Sequence, residues 1–292
     1  MPDRSSRVAV LPDVRLGDGL LALILTHNLQ RAGRDVTTHH DLLRQLRAWF
    51  PRFRIETLPA GAKATWLGGY DLIVDSYSHF LDDEPALAAK RVAVGDFHFD
   101  PQATRAANLQ RLAGEVLACP DPTIEPGVEP PPDLKHRKHA ERVLLHPTSA
   151  SERKTWPSSC FLKLAELLEA RGFRPVFCLG PSERSGWQPL LGDRFEAPPF
   201  PDLDALARYT YESGYFIGND SGPGHLASLL RVPTLSLFYK KSKAQRWRPG
   251  WGDGAVAVPG LWLPSSRLRR RYWRRLLTPA RVLATFERLT RR

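Results

Sequence analysis

Sixteen residues, Y-F-I-G-N-D-S-G-P-G-H-L-A-S-L-L from Tyr215 to Leu230, constrain the architecture more than any other stretch of this chain. Tyr215, Phe216 and Ile217 read as the end of a buried strand, 218–224 as a tight turn of small residues and 225–230 as a helix start. A strand that passes into a helix through small residues leaves unpaired backbone N–H groups at the helix N-terminus. With the helix dipole, those donors favour an anion, typically a phosphate. Asp220 and Ser221 hold natural N-cap positions, and His225 follows in the first turn. The competing reading is an Asp220 that only caps the helix and a His225 that only packs.

The same alternation runs through the rest of the chain. R-V-A-V-L from Arg7 to Leu11 is a β-branched run, followed by a loop and the apolar stretch 20–25. This predicts a strand, a Gly-bearing loop and a helix to about Arg31, with Gly17, Asp18 and Gly19 in the loop or at the helix start. Here too a capping Asp18 is the simpler alternative. Strands are expected at 36–39, 53–58, 70–75 and 91–94, and helices at 41–50 and 103–117. The run Y-D-L-I-V-D at 70–75 is of the fully buried, parallel-sheet kind. From 119 to 139 six prolines and no periodicity predict a semi-rigid linker, with the basic patch 136–139 a solvated face. A second unit follows, with strands at 142–146, 176–179, 215–217, 234–238 and 255–258. Its helices are expected from Trp156-Pro157-Ser158, with Phe161, Leu164, Leu167 and Leu168 at helical spacing and Gly172 closing, at 202–209, and from Pro279. The polar stretches 147–155 and 240–254 are expected to be loops. Strands alternating with helices predict an α/β fold of doubly wound domains. The expected division is 1–120, a linker at 121–140 and 141–292, with a last helix that could pack back on the N-terminal domain.

Composition narrows the function classes. Hydrophobic residues make up 42% of the 292, yet no apolar run approaches the roughly 18 residues a spanning helix needs. The polar start M-P-D-R-S-S-R lacks the apolar core of a secretory signal, so a cytoplasmic protein is expected. Cys119, Cys160 and Cys178 have no C-x-x-C spacing and read as reduced packing residues. A formal charge of +11 favours acidic partners: nucleic acid, an anionic membrane face or a phosphorylated substrate. No nucleic-acid-reading motif is present, so nucleic acid is not the expected partner.

Three loops carry the chemistry, each at the C-terminal end of an expected parallel strand, where ligands bind in such sheets. They are G-D-G at 17–19, H-P-T-S-A-S-E-R-K-T-W-P at 146–157 and N-D-S-G-P-G-H at 219–225. Thr148, Ser149 and Ser151 supply hydroxyls and Lys154 an ammonium just before a helix, a combination that suits a diphosphate. A plain surface role for Lys154 is the alternative. Together the loops resemble the signature of the heptosyltransferase-like glycosyltransferases, family 9, which build bacterial lipopolysaccharide cores. The resemblance rests on Arg15-Leu16-Gly17-Asp18, on His146-Pro147-Thr148-Ser149 with Lys154-Thr155-Trp156-Pro157, and on Asp220-Ser221-Gly222-Pro223-Gly224-His225.

That resemblance implies a GT-B fold, two Rossmann-like domains facing a central cleft, with the nucleotide-sugar donor on the C-terminal side and the acceptor on the N-terminal side. It implies an inverting transfer, with Asp18 as general base and Arg15 and Gly17 on the acceptor side. Lys154, Thr148, Ser149, Asp220, Ser221, Gly222 and His225 would hold the donor diphosphate or sugar. No metal and no cofactor are implied; the nucleotide-sugar, ADP-heptose in the first instance, is a substrate. The one D-x-D, Asp202-Leu203-Asp204, reads as a helix cap. The acceptor would be a lipid-linked or other anionic glycan of the lipopolysaccharide-core type. The basic run R-L-R-R-R-Y-W-R-R from Arg267 to Arg275 would then rest on the inner face of the cytoplasmic membrane, a solvated helix face being the alternative. Alternatives are another nucleotide-sugar or acceptor on the same fold, a member that binds nucleotide without catalysis, and, from the charge alone, a basic nucleic-acid-binding protein. Two departures from the family pattern stand out: Gly19 where an aliphatic residue is frequent, and Y-K-K-S-K after Phe238 where G-P-T-D-P is frequent.

Overall fold

The computed structural model describes residues 6–77, 80–260 and 272–291. They form two compact units, Met1–Pro131 and Pro132–Arg292.

The N-terminal unit is a five-stranded parallel sheet in the order β3-β2-β1-β4-β5. Its strands are β1 (Arg7–Leu11), β2 (Asp35–His39), β3 (Arg54–Glu56), β4 (Leu72–Asp75) and β5 (Arg91–Ala93). Its helices are α1 (Leu16–Arg31), α2 (Asp41–Gln45), α3 (Lys63–Leu67) and α4 (Arg105–Glu115). The run Leu20 to Leu25 is apolar on every side of α1 and wholly buried, because the helix packs on β2, α2 and α4 at once. The helix expected at 41–50 is broken: α2 stops at Gln45 and a 3-10 turn covers Arg47–Trp49. Burial decides this, since Trp49 and Phe50 are both 1% exposed and Phe50 leaves helical geometry at φ −135°. The short α3 has no counterpart among the expected elements.

The C-terminal unit repeats the plan, with sheet order β10-β9-β8-β6-β7, all parallel. The strands are β6 (His139–His146), β7 (Arg174–Phe177), β8 (Ser213–Asn219), β9 (Thr234–Leu237) and β10 (Gly254–Ala257). The helices are α5 (Ser158–Glu169), α6 (Pro181–Leu191), α7 (Leu203–Tyr211), α8 (Gly222–Leu229), α9 (Lys241–Trp247) and α10 (Pro279–Thr290). Phe161, Leu164 and Leu168 of α5 join Val282, Phe286 and Leu289 of α10 in one core, so the last helix packs on α5 and β10 of its own unit. Gly172, at φ +80°, lets the chain leave α5. Asp202 caps α7 through Ala205 N–H at 2.8 Å, as expected of that D-x-D.

Two helices lie where none was expected. Helix α6 opens with Gly180 at the N-cap, Pro181 at its first position and Glu183 Oε2 accepting from Gly180 N–H at 2.6 Å. Helix α9 occupies 241–247, within the stretch expected to be a loop; of its residues Ala244 is buried.

The proline-rich segment has no helix or strand until β6 takes up its last residues, and it is fastened at several points by hydrogen bonds. Buried Asn28 donates to Thr123 O and accepts from Thr123 N–H, both at 2.8 Å. His27 Nδ1 lies 2.6 Å from Glu125 O, and Glu129 N–H donates to Trp49 O at 2.8 Å. Further on, Arg137 donates to Tyr211 O and Gly214 O and stacks over the Tyr215 ring within the C-terminal unit.

Candidate functional site

In the C-terminal unit the residues of both signature loops meet where β6 and β8 end side by side. His146, the last residue of β6, is in register with Gly218 of β8. Gly218 permits that approach: a Cβ there would lie 2.9 Å from Phe216 Cε1 and 3.0 Å from the His146 carbonyl oxygen. The next residue, Asn219, is 1% exposed and joins the two loops. Its Nδ2 donates to Pro147 O at 2.8 Å and its Oδ1 accepts from Trp156 N–H at 3.1 Å. Trp156 anchors the far end of the first loop in the core, its indole N–H donating to Leu277 O at 2.8 Å.

On this frame Lys154 Nζ lies 2.8 Å from Asp220 Oδ2, with the side chains 39% and 12% exposed. Ser149 Oγ donates to Asp220 O at 3.3 Å. Thr148 donates to Glu183 Oε1 at 2.5 Å and lies 3.2 Å from His146 Nε2, while His146 Nδ1 is 2.9 Å from Cys178 O. Burial lowers the pKa of His146, against the charge of Glu183. Ser221 is the N-cap of α8 but its hydroxyl caps nothing, and Gly222 is the first helical residue. Ser221 Oγ and His225 Nδ1 are buried, and neither finds a hydrogen-bond partner among the described residues. Burial lowers the pKa of His225, with Asp220 opposing and Lys154 assisting. The competing reading of Asp220 as a cap of α8 thus gives way to an ion pair that holds Lys154, and the Ser221 hydroxyl caps nothing. An ammonium, three hydroxyls, two buried imidazoles and the first turn of an eight-residue helix converge on one edge of the sheet. Such an edge suits a diphosphate.

Lys243 was not anticipated. It stands on α9, and its pKa is lowered by burial and by the charges of Lys154, Arg246 and Lys240, with Asp220 opposing. The cationic Y-K-K-S-K departure after Phe238 is the sequence signal that could have found it. Glu183 was also missed, because its helix was not expected.

In the N-terminal unit, Arg15, Gly17 and Asp18 lie at the C-terminal edge of the sheet. Arg15 is the exposed N-cap of α1, Gly17 is its second residue and Asp18, half-buried, its third. Asp13 Oδ1 accepts from Arg15 N–H at 3.3 Å and turns the chain into the helix. Beside them, at the end of β4, Asp75 is 2% exposed, accepts from Tyr77 N–H at 2.9 Å and pairs with Arg91 at 2.8 Å. Burial pushes its carboxyl up, against Tyr77 N–H and Arg91.

Of the basic run expected to rest on a membrane, residues 267–271 lie outside the described residues. Tyr272 is 37% exposed, but Trp273 is a core residue, 1% exposed, whose indole N–H donates to Arg153 O at 3.2 Å. Arg274 donates to Glu152 O, so this segment braces the 152–154 turn from behind. Trp273 is thereby withdrawn from the expected lipid-facing aromatics. Among the described residues no helix is long and apolar enough to cross a membrane.

The profile of glycosyltransferase family 9 (heptosyltransferase) matches residues 110–260. Lipopolysaccharide heptosyltransferase 3 of Escherichia coli K12 is 30% identical over 125 residues, 39% of this chain and 35% of its own length. The matched part thus spans about a third of that curated relative. Among solved structures, a family 9 glycosyl transferase of Veillonella parvula superposes with a TM-score of 0.74 at 17% identity, covering 99% of this chain and 98% of the other. Heptosyltransferase WaaC of E. coli, solved with ADP, gives a TM-score of 0.70 at 18% identity over 97% and 99%. At these identities the superpositions establish the fold, two parallel α/β units of the GT-B kind.

Proposed function

The chain belongs to glycosyltransferase family 9, and on that premise we propose that it is an inverting, metal-independent glycosyltransferase that moves heptose from ADP-heptose onto a lipopolysaccharide-core or related glycan acceptor. The observation that carries this reading is the Lys154–Asp220 pair at 2.8 Å beside the unspent Ser221 hydroxyl and His225 ring at the start of α8. Such a cluster binds a donor diphosphate: Lys154 supplies the charge, Asp220 holds Lys154 in place, and Thr148, Ser149, Ser221 and the Gly222 turn supply neutral hydrogen bonds. The matched relative named for heptose transfer and the ADP of the superposed structure support the choice of donor.

In the proposed reaction an acceptor hydroxyl oxygen attacks the anomeric carbon. The bond from that carbon to the diphosphate oxygen breaks, and ADP leaves with the electron pair. Asp18 takes the hydroxyl proton, which makes it the general base, while Arg15 and Gly17 shape the acceptor side. Lys154 and the α8 N-terminus neutralise the charge that grows on the departing diphosphate. A lipid-linked acceptor would bring the protein to the inner membrane face.

Calorimetric titration with ADP-, UDP- and GDP-sugars tests the donor. Selective binding of ADP-heptose supports the reading; selective binding of another nucleotide-sugar keeps the family and replaces the donor. Asp18→Asn tests the base: transfer should be abolished with donor affinity unchanged within a few fold. EDTA should leave the rate unaltered, and inhibition by it would count against a metal-independent step.

A further inference from the structure

Asp18 stands in the first turn of α1, and the group that fixes the approach to this turn comes from the neighbouring strand. His40 follows β2, is 2% exposed, and caps α2 by accepting from Leu43 N–H at Nδ1, 3.1 Å away. Its other nitrogen, Nε2, lies 2.9 Å from the Asp13 carbonyl oxygen. A carbonyl only accepts and an amide N–H only donates, so the ring carries its proton on Nε2 and a lone pair on Nδ1. One neutral tautomer satisfies both bonds; the other tautomer and the imidazolium satisfy neither arrangement in full. The residue held by Nε2 is the one whose carboxylate accepts from Arg15 N–H, and Arg15 O then accepts from Gly19 N–H at 2.9 Å, the first backbone bond of α1.

The ring reaches Asp13 only because position 19 has no side chain. A Cβ at Gly19 would lie 2.9 Å from His40 Nε2 and 3.2 Å from Cδ2 and Cε1. Gly19 and His40 therefore form a matched pair around the turn that carries Asp18.

We propose that His40, seated against Gly19, is a positioning residue that fixes the 12–15 loop and thereby the placement of Asp18 for proton abstraction. This rests on the reading of Asp18 as the base. A misplacement on the ångström scale can cost a rate on the order of 100-fold, so a tether one residue removed from the turn is enough to matter.

Two substitutions separate this role from simple stability. His40→Asn keeps an oxygen that caps α2, asparagine being among the best N-caps, but is too short to reach Asp13. Gly19→Ala leaves the histidine and expels its ring. With ADP-heptose and heptose-deficient lipopolysaccharide as substrates, His40→Asn should lower kcat roughly 10- to 100-fold, with the KM for ADP-heptose and the melting temperature near wild type. Gly19→Ala should lower kcat alike while also lowering the melting temperature, since the displaced ring loses the α2 cap, and should lower kcat no further in the His40→Asn background. Wild-type kcat in His40→Asn beside an inactive Asp18→Asn overturns the proposal alone; retained transfer in Asp18→Asn overturns the base reading and the proposal with it. Nitrogen NMR of the full chain needs no substrate. The His40 ring should show the proton on Nε2 at neutral pH, and the amides of 13–19 should shift in His40→Asn. A proton on Nδ1, or unmoved amides, overturns the proposal whatever the kinetics show.

Discussion

At the scale of single residues, the C-terminal site separates groups that build it from groups that bind. Asn219 builds: replacing it with Ala strands Trp156 N–H and Pro147 O in a buried setting. Each stranded group costs about 1–3 kcal/mol, so urea unfolding should show Asn219→Ala destabilised by about 2–6 kcal/mol. Lys154 binds: its ion pair with Asp220 is partly exposed, and such pairs contribute on the order of 0–1 kcal/mol. Lys154→Met should therefore barely move the unfolding midpoint while weakening ADP about 10- to 100-fold in calorimetry, the worth of a charge-assisted bond. Unchanged ADP affinity would return Lys154 to the surface. The sequence made the polar types of this site legible, because hydroxyls, an ammonium and a helix start sit within short loops. It could not show that Asp220 pairs with Lys154 rather than capping α8, since 66 residues separate them. Gly19 was legible as a departure from the family pattern, but its reason, the ring of His40, lies on another element.

At the scale of elements, the alternation of apolar runs and helical spacing predicted every strand of both sheets to within a few residues. What escaped were α3, α6 and α9, and the causes are physical. Helix α6 carries Gly186 and Pro189, both poor helix formers, and is held by its Gly180–Glu183 start and by Trp187 and Leu191 packed in the core. Helix α9 presents Lys241, Lys243 and Arg246 with little apolar face, so periodicity had little to detect. The β6–β8 junction yields a sharp expectation. Gly218→Ala would force a Cβ between Phe216 and the His146 backbone, and overpacking of this kind costs about 1–3 kcal/mol. A urea midpoint equal to wild type would show that the two strand ends can part without penalty.

At the scale of the whole molecule, burial holds His39, His40 and His225 below the ordinary imidazole pKa. The bonds of the first two suit the neutral form: His39 Nδ1 lies 3.2 Å from Thr57 O and Nε2 3.0 Å from the Tyr70 hydroxyl, and His40 Nδ1 accepts from Leu43 N–H. The unfolded chain takes up protons on these rings near pH 6.5, whereas the folded chain resists until lower pH. Their contribution is therefore present above pH 6.5 and lost as pH falls through the folded values, with a slope of up to about 1.4 kcal/mol per pH unit for each ring. The urea midpoint should be lower at pH 5 than at pH 7.5, and an equal midpoint would contradict the neutral assignment. The proline-rich strap has a practical corollary for dissecting the protein. A cut at 120, where the composition changes, strips the buried Asn28 amide of Thr123 and removes Glu129 from Trp49. A cut between 131 and 132 spares both, so a chimaera that exchanges halves between relatives should be spliced there, where each half keeps its own fastenings.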